Sequence, residues 1–372
     1  MGAGADATAE PNRHPARFLV PAASQLTVSV SPGRQISLPS GCVPSASSPR
    51  SISALRKGVN HMPLKLGVNL PQDSRYDLTT DVVKFARAAE EIGYDSLWVY
   101  ERVLMPVDQS GPHGLYSVPD LPWPDAYSST GEPLLTLAMA AAVTERIELG
   151  TGVLVPPLRT PLQLARSLAT LDHQSGGRVI AGLGVGWSID EFDAVAPRPY
   201  SERGAALDEF LDVASAAWGP DPVSFDNGRY RIAPAMVKPK PARRIPIYLG
   251  GTGPAALRRI ARRGTGWLPT GVPPELVVAH LARLREMAAE AGRDPAEINC
   301  IYQVLVQNLS EVPAAGRQPF AGSPKQLVED LAVLAEGGVQ HVYVTATMAS
   351  KDVNELIDNS AAIHEAVRGA GL

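Results

Sequence analysis

This chain has little cysteine, no long apolar run and little net charge. Each of these features excludes a class of protein. Its 372 residues include two cysteines, Cys42 and Cys300, in unrelated contexts. This argues against a disulfide framework and favours the reducing cytoplasm. No apolar run reaches the ~18 residues that suggest a membrane span, so no membrane partner is predicted. The formal net charge of −4 gives no reason to expect nucleic-acid binding.

Two common kinds of catalytic motif are also missing from the sequence. The seven histidines show neither HxxxH nor HxH spacing, so no metal site is predicted. The chain has no GxSxG motif, which marks the nucleophile of an α/β-hydrolase. His173 falls in a predicted helix and Cys300 in an apolar strand, and we interpret both as structural residues.

Residues 1–61 differ from the rest of the chain. They are rich in Pro, Ser and Ala, show no sustained periodicity, and hold six basic residues against two acidic ones. Such a segment buries too little apolar surface to offset its ordering entropy, which predicts a disordered N-terminal extension. Its basic, Ser-rich composition leaves a transit peptide as the alternative. Met62 opens the first patterned segment and would make a sensible start.

From residue 62 to 372, strand and helix signals alternate. A closed (β/α)8 barrel is expected rather than an open doubly wound sheet, because the count of strands is eight. A segment over 186–244 is predicted as an insertion after the fourth strand, with a hairpin that turns at 226–228. The predicted barrel strands are 64–70, 96–100, 147–153, 179–183, 245–249, 267–269, 298–306 and 339–346.

Glycine is concentrated where three of these strands end. The clusters are GTGV (150–153), GLGVGW (182–187) and GGTG (250–253). In a barrel the carboxyl ends of the strands carry the active site. The GGTG turn lies between a strand and a helix, where backbone N–H groups suit an anion such as phosphate. The alternative is a tight turn that merely needs a positive φ. The second cluster lacks the dinucleotide spacing, and no helix is expected directly after it.

Charged and aromatic residues complete the predicted strand ends. Glu101 and Arg102 follow the second strand, either as an acid and a base that face the barrel mouth or as a salt bridge on its rim. Trp187 follows the fourth strand, either as a wall for a ring-shaped ligand or as a cover over the core.

Six segments, in this order, carry a resemblance to a known family: LGVNLP (66–71), EIGYDSLWVYERVLMP (91–106), RIELGTGVLVPPLRTP (146–161), LATLDHQSGGRVIAGLGVGWSIDEF (168–192), YSERGAALDEFL (200–211) and IPIYLGGTGPAALRRIARRGTGWLP (245–269). They resemble the bacterial luciferase-like monooxygenase superfamily, and within it the coenzyme F420 (deazaflavin)-dependent oxidoreductases of actinobacteria. The resemblance covers about residues 62–370. It implies a (β/α)8 barrel with an insertion after strand four.

The resemblance also implies roles for particular residues. A non-prolyl cis peptide bond at Gly152–Val153 would support the cofactor ring from behind. The phosphate of F420, or of FMN in the alternative, would meet Gly250, Gly251, Thr252 and Gly253. Gly184, Gly186 and Trp187 would border the other flank of the cofactor, and Glu101 would contact its ring.

The chain departs from related enzymes at two places. Many F420 enzymes have Asp-His where this chain has Glu101-Arg102, and sugar-phosphate dehydrogenases place a catalytic Glu where it has Trp187. Neither Arg102 nor Trp187 can act as that base or acid, which makes oxidation of sugar phosphates doubtful. Arg102 would instead stabilise a developing negative charge as a catalytic residue.

Three functions follow from the resemblance. The leading hypothesis is an F420-dependent oxidoreductase that transfers a hydride between deazaflavin and a small organic substrate. The alternatives are a reduced-FMN-dependent monooxygenase, supplied by a separate flavin reductase, and a non-catalytic flavin-binding paralogue. A homodimer is expected by analogy.

Overall fold

A closed barrel of parallel strands organises this chain in a computed structural model, which describes residues 63–372. Every pair of neighbouring strands around the barrel is parallel. The predicted (β/α)8 fold with its insertion is therefore confirmed. The predictions for residues 1–61 and for Met62 lie outside the described residues.

Eight strands form the barrel, and two form a separate antiparallel hairpin in the insertion. The strands are β1 Lys65–Asn69, β2 Ser96–Val99, β3 Glu148–Thr151, β4 Val179–Leu183, β5 Val223–Asp226, β6 Arg231–Ala235, β7 Ile247–Leu249, β8 Gly266–Trp267, β9 Asn299–Leu305 and β10 His341–Thr345. Around the barrel their order is β1-β10-β9-β8-β7-β4-β3-β2. The predicted hairpin is β5–β6, and Gly228 in its turn has a φ of +80°. Gly tolerates that conformation without a steric penalty.

Helices cover the outside of the barrel and part of the insertion. They are α1 Asp81–Ile92, α2 Pro133–Ala141, α3 Pro161–Gln174, α4 Ile189–Val195, α5 Arg203–Trp218, α6 Pro254–Arg263, α7 Pro274–Glu290, α8 Pro324–Glu336 and α9 Val353–Gly369. Proline at the first turn begins five of them, because its fixed φ suits a position whose N–H needs no partner. None of the helices in the described part of the chain is long and apolar enough to cross a membrane.

One helix was not predicted. Helix α4 begins at Ile189, three residues after Gly186, where no helix is predicted. The Ser188 side chain caps it by accepting a hydrogen bond from the N–H of Glu191, at 3.3 Å. Asp190 and Glu191 lie in the first turn, where the helix dipole favours negative charge. The segment SIDE was therefore a readable capping signal.

Large rings fill the inside of the barrel. Trp98 stacks on Tyr343 with ring centroids 4.3 Å apart and planes 10° from parallel. Gly150 opposite them leaves the necessary room, since a Cβ there would lie 2.6 Å from the indole of Trp98. These rings form an inner layer with Ile180, Tyr248, Leu268 and Ile301, and Val153 packs against it at the carboxyl end of the strands.

Candidate cofactor site

Val153 joins three of the segments predicted to form the site. The peptide bond between Gly152 and Val153 is cis, as the resemblance predicted. A Cβ at Gly184 would lie 2.7 Å from Cγ2 of Val153, and a Cβ at Gly250 would lie 3.6 Å from its Cγ1. The ends of β3, β4 and β7 therefore meet around one side chain, and only glycine at 184 leaves it room.

The turn formed by residues 250–253 offers free hydrogen-bond donors. Within residues 63–372, the N–H groups of Gly251, Thr252 and Gly253 donate to no backbone or side-chain acceptor. Helix α6 begins directly after them, so its N-terminal dipole adds to their positive potential. The carbonyl of Gly251 accepts from Nε1 of Trp267 at 2.9 Å, which fixes the turn. This donor set fits a phosphate group.

A tight turn alone does not explain this sequence. Gly251 has a φ of +105°, a conformation that favours glycine. Gly253 has a φ of −70°, which any residue adopts, and a Cβ there would meet nothing within 4 Å. Its lack of a side chain therefore leaves the space in front of the N–H groups open. That observation favours the anion-binding interpretation over the purely conformational one.

Glu101 is buried in an ion pair with Arg159. One of its oxygens, Oε2, accepts from the N–H of Val155 at 2.6 Å, and Oε1 accepts from Nε of Arg159 at 2.8 Å. The same guanidinium also binds Glu132, at 2.7 Å. Burial raises the pKa of the Glu101 carboxyl, against the opposing effects of Arg159 and of the Val155 N–H. Glu101 thus holds the segment that follows the cis bond.

Arg102 has a different partner, so the hypothesis of a Glu101–Arg102 rim salt bridge is wrong. Its Nη1 lies 3.2 Å from Oε2 of Glu191 on α4, and the side chain is 9% exposed. That nitrogen makes no hydrogen bond within the described part of the chain. Its guanidinium carbon lies 4.8 Å from the ring centroid of Trp187. Two further rings, Trp123 and Tyr127, lie at 5.8 Å. The two positions at which the chain departs from related enzymes are therefore in contact.

The loop over 103–131 packs on Trp187. The Trp123 ring lies 4.7 Å from the Trp187 ring, centroid to centroid, and the Tyr116 ring lies at 5.2 Å. Oγ of Ser117 donates to the carbonyl of Trp187 at 2.8 Å. Nδ1 of His113 lies 2.9 Å from Asp190 on α4. The loop and the start of the insertion therefore form one surface beside the ends of β3 and β4.

Several residues of this site were not predicted from the sequence. They are Tyr116, Trp123, Tyr127, Arg159 and Glu191. The three aromatic residues fall in a loop rich in proline and glycine. Aromatic residues in such a loop indicate a binding surface, since no regular helix or strand is predicted there to carry them into the core. The described residues contain no group of three His, Cys, Asp or Glu side chains that could hold a metal ion.

Comparison with known proteins identifies the family. The family model described as luciferase-like monooxygenase matches residues 64–309. The chain belongs to the luciferase-like monooxygenase family. Seven of the eight barrel strands and the glycine-rich strand ends that meet at Val153 lie within the matched residues, and β10 lies beyond them.

Two relatives show how far the sequence similarity extends. An uncharacterized protein of Mycobacterium tuberculosis is 36% identical over 234 residues, which are 61% of this chain and 79% of that protein. An F420-dependent glucose-6-phosphate dehydrogenase of Nakamurella multipartita is 33% identical over 231 residues, 61% of this chain and 63% of that enzyme. The match thus spans less than two thirds of the dehydrogenase.

Solved structures of the luciferase-like fold align with most of the chain. An F420-dependent secondary alcohol dehydrogenase, solved with an F420-acetone adduct, has a TM-score of 0.66 at 20% identity and covers 82% of this chain and 100% of its own. The monooxygenase RslO1 from Streptomyces bottropensis has a TM-score of 0.65 at 21% identity, covering 83% and 100%. At these identities the likeness shows the fold alone.

Proposed function

We propose that this protein is an F420-dependent oxidoreductase that acts on a small organic substrate. The observation that carries the proposal is the meeting of three glycine-rich strand ends at Val153, next to a turn whose N–H groups have no acceptor among residues 63–372. Relatives named as F420-dependent dehydrogenases, matched over about three fifths of this chain, support the same cofactor. The enzymes with these names are oxidoreductases, and so, we infer, is this one.

The chain's own residues would hold the cofactor as follows. The N–H groups of Gly251, Thr252 and Gly253 would bind its phosphate. The segment at Gly152 and Val153 would support its ring, while Gly184, Gly186 and Trp187 would border the flank. When bound, the deazaflavin supplies the hydride-transfer chemistry. The protein supplies position, and the buried side chains around Val153 exclude water from the ring.

Glu101 and Arg102 would have different parts in this site. The Glu101 carboxylate already accepts from Arg159 and Val155, so we propose that it positions the segment after β3 and exchanges no proton with substrate. Arg102 is paired with Glu191, and Glu191 and Trp187 fix the direction of its guanidinium; among residues 63–372 its Nη1 makes no hydrogen bond. It would stabilise negative charge that develops on the substrate or the ring.

The same geometry argues against the oxidation of glucose 6-phosphate. That chemistry needs an acid or base, and the two positions in question hold a guanidinium and an indole in contact with each other. Arginine stays protonated and indole does not titrate in water. We expect a substrate other than a sugar phosphate, and a homodimer remains the expected assembly by analogy with the family.

A titration with two cofactors tests the proposal. The full chain is titrated with coenzyme F420 and, separately, with FMN, and the affinities are compared by fluorescence. Tighter binding of F420 supports the proposal, and turnover of F420 in a screen of alcohols and ketones completes it. Tight FMN with weak F420 would favour a monooxygenase served by a flavin reductase. Failure to bind either would leave the non-catalytic alternative.

A further inference from the structure

Beside the cofactor site stands a set of three rings that we call the aromatic wall: Tyr116, Trp123 and Trp187. Trp187 is the middle ring, and Tyr116 meets it at an angle of 59°. Tyr116 is 56% exposed, whereas Trp123 behind it is only 4% exposed. The wall therefore has a packed base and one open ring. An exposed ring supported by a second one is suited to stack against another planar group.

The backbone holds Tyr116 in place. Tyr116 and Ser117 have φ values of +56° and +58°, a region that residues other than glycine rarely adopt. Such conformations persist when surrounding contacts enforce them, and they cluster at functional sites. Here Oγ of Ser117 donates to the carbonyl of Trp187, which ties the turn to the wall. The exposure of Tyr116 is thus fixed by neighbouring contacts.

The open ring lies near the ends of the barrel strands. The Tyr116 ring lies 5.2 Å from the ring of Trp187, which comes four residues after the last residue of β4. The Trp187 ring in turn lies 4.8 Å from the guanidinium carbon of Arg102, which follows the end of β2. Tyr116 therefore stands by the strand ends where the cofactor ring is proposed to bind.

The charges around the wall are already compensated. Arg102 lies against Glu191 and Arg159 against Glu101, and all four side chains are more than 70% buried. An anionic substrate would have to compete with a buried carboxylate for either cation, at a large desolvation cost. The same loop adds apolar surface, since Val103 and Val118 are 43% and 45% exposed. The wall therefore favours an uncharged, apolar ligand.

From these contacts we propose that the substrate is an uncharged, planar or aromatic carbonyl compound, or the matching alcohol, which stacks on Tyr116 and Trp187. Tyr116 is then a specificity-determining residue. This inference rests on the proposed function, because it names the substrate class of the same site. It predicts that the enzyme selects its substrate by ring stacking. A sugar-phosphate dehydrogenase, in contrast, must recognise the phosphate of its substrate.

Binding of three probes to the full chain tests the inference. Acetophenone and acetone are both methyl ketones and differ by a phenyl ring, while glucose 6-phosphate carries the charge that the wall should reject. Isothermal titration, with and without F420, should give the tightest binding for acetophenone. Tyr116→Ala should weaken acetophenone about three- to tenfold, the range expected for loss of one aromatic contact. Tyr116→Phe keeps the ring and should keep the affinity.

The controls separate this inference from the proposed function. Val107→Ala changes a fully exposed residue of the same loop and should leave every affinity unchanged. Acetophenone affinity that Tyr116→Ala does not alter, or tighter binding of glucose 6-phosphate, would overturn the inference even if F420 binds. Failure of F420 to bind, with acetophenone still sensitive to Tyr116→Ala, would overturn the proposed function and leave the wall as a binding surface.

Discussion

The hydroxyl oxygen of Tyr343 fills the space that a side chain at Gly152 would need. A Cβ on Gly152 would lie 2.2 Å from this oxygen and 2.9 Å from the ring carbon that bears it. Tyr343 is fully buried, and its hydroxyl has no hydrogen-bond partner among residues 63–372. The barrel interior therefore constrains the backbone directly after β3, and glycine at 152 is a requirement of packing.

This relationship predicts coupling between substitutions at the two positions. Gly152→Ala should lower the free energy of unfolding by about 1–3 kcal/mol, the usual effect of overpacking a core. In the Tyr343→Phe background the oxygen is gone and only the ring carbon remains close, so the loss should be smaller. Denaturant unfolding of the two single variants and the double variant gives the coupling energy.

Tyr343→Phe alone is the control for that cycle. Removing a buried hydroxyl that has no partner should leave the free energy of unfolding unchanged or raise it by up to about 1 kcal/mol. A clear loss would mean that the hydroxyl makes a stabilising hydrogen bond. Equal losses from Gly152→Ala in both backgrounds would show that the two residues do not compete for space.

Glu101→Gln should destabilise the protein through Arg159. Glutamine keeps the shape of the side chain and can still accept a hydrogen bond from the Val155 N–H. The guanidinium of Arg159, however, loses the negative charge of Glu101 with which it pairs. Removal of one partner of a buried pair costs about 3–5 kcal/mol; we expect about 1–3 because Arg159 is 27% exposed and also binds Glu132. Chemical denaturation measures the change.

A surface pair supplies the comparison for this variant. Glu286 pairs with Arg283 on α7, and both side chains are more than half exposed. Glu286→Gln should cost less than about 1 kcal/mol, as exposed ion pairs do. If Glu101→Gln costs no more than Glu286→Gln, Glu101 does not anchor the segment after β3.

The limits of helices and strands can be predicted from the sequence because they depend on residues that are close together along the chain. Helices α3 and α6 each begin with a proline in the first turn and end at a polar or charged residue, and both signals can be read from the helix sequence itself. The strand ends followed from apolar runs that stop at glycine. The position of the cis bond came from the resemblance, and no periodicity in the chain indicates it.

The partners of charged residues could not be predicted in the same way. Arg159 is 58 residues from Glu101 along the chain, and Glu191 is still farther from Arg102. Neighbours in sequence, such as Glu101 and Arg102, point in different directions at a strand end. Only the closure of the barrel determines which distant side chains meet, so an ion pair inferred from adjacency was the wrong choice here.

His341 should make stability depend on pH. Burial lowers its pKa from 6.5 to about 3, and the nearby charge of Lys65 contributes. Between about pH 3 and pH 6.5 the imidazole of His341 binds a proton in the unfolded chain and stays neutral in the folded protein. The contribution is therefore complete above pH 6.5 and is lost as the pH falls towards 3, by up to about 1.4 kcal/mol per pH unit.

Unfolding measured from pH 7 to pH 4 in two histidine variants checks this dependence. His341→Asn should show a shallower loss of stability with acid than the parent protein, whatever its absolute stability. His173→Gln changes an exposed histidine at the end of α3 and should follow the parent curve. Parallel curves for His341→Asn and the parent would rule out the buried neutral imidazole as a source of acid sensitivity.

Gly253→Asp should separate folding from cofactor binding. A side chain fits at this position, because the φ of −70° suits any residue and a Cβ meets nothing within 4 Å. Aspartate caps a helix better than glycine, so the free energy of unfolding should stay level or rise by a few tenths of a kcal/mol. The carboxylate would occupy the free N–H groups and repel the phosphate, so F420 affinity should fall at least about tenfold. Gly253→Asn has the same shape without the charge and should lose less. Unchanged F420 affinity in Gly253→Asp, with F420 bound by the parent protein, would place the phosphate elsewhere.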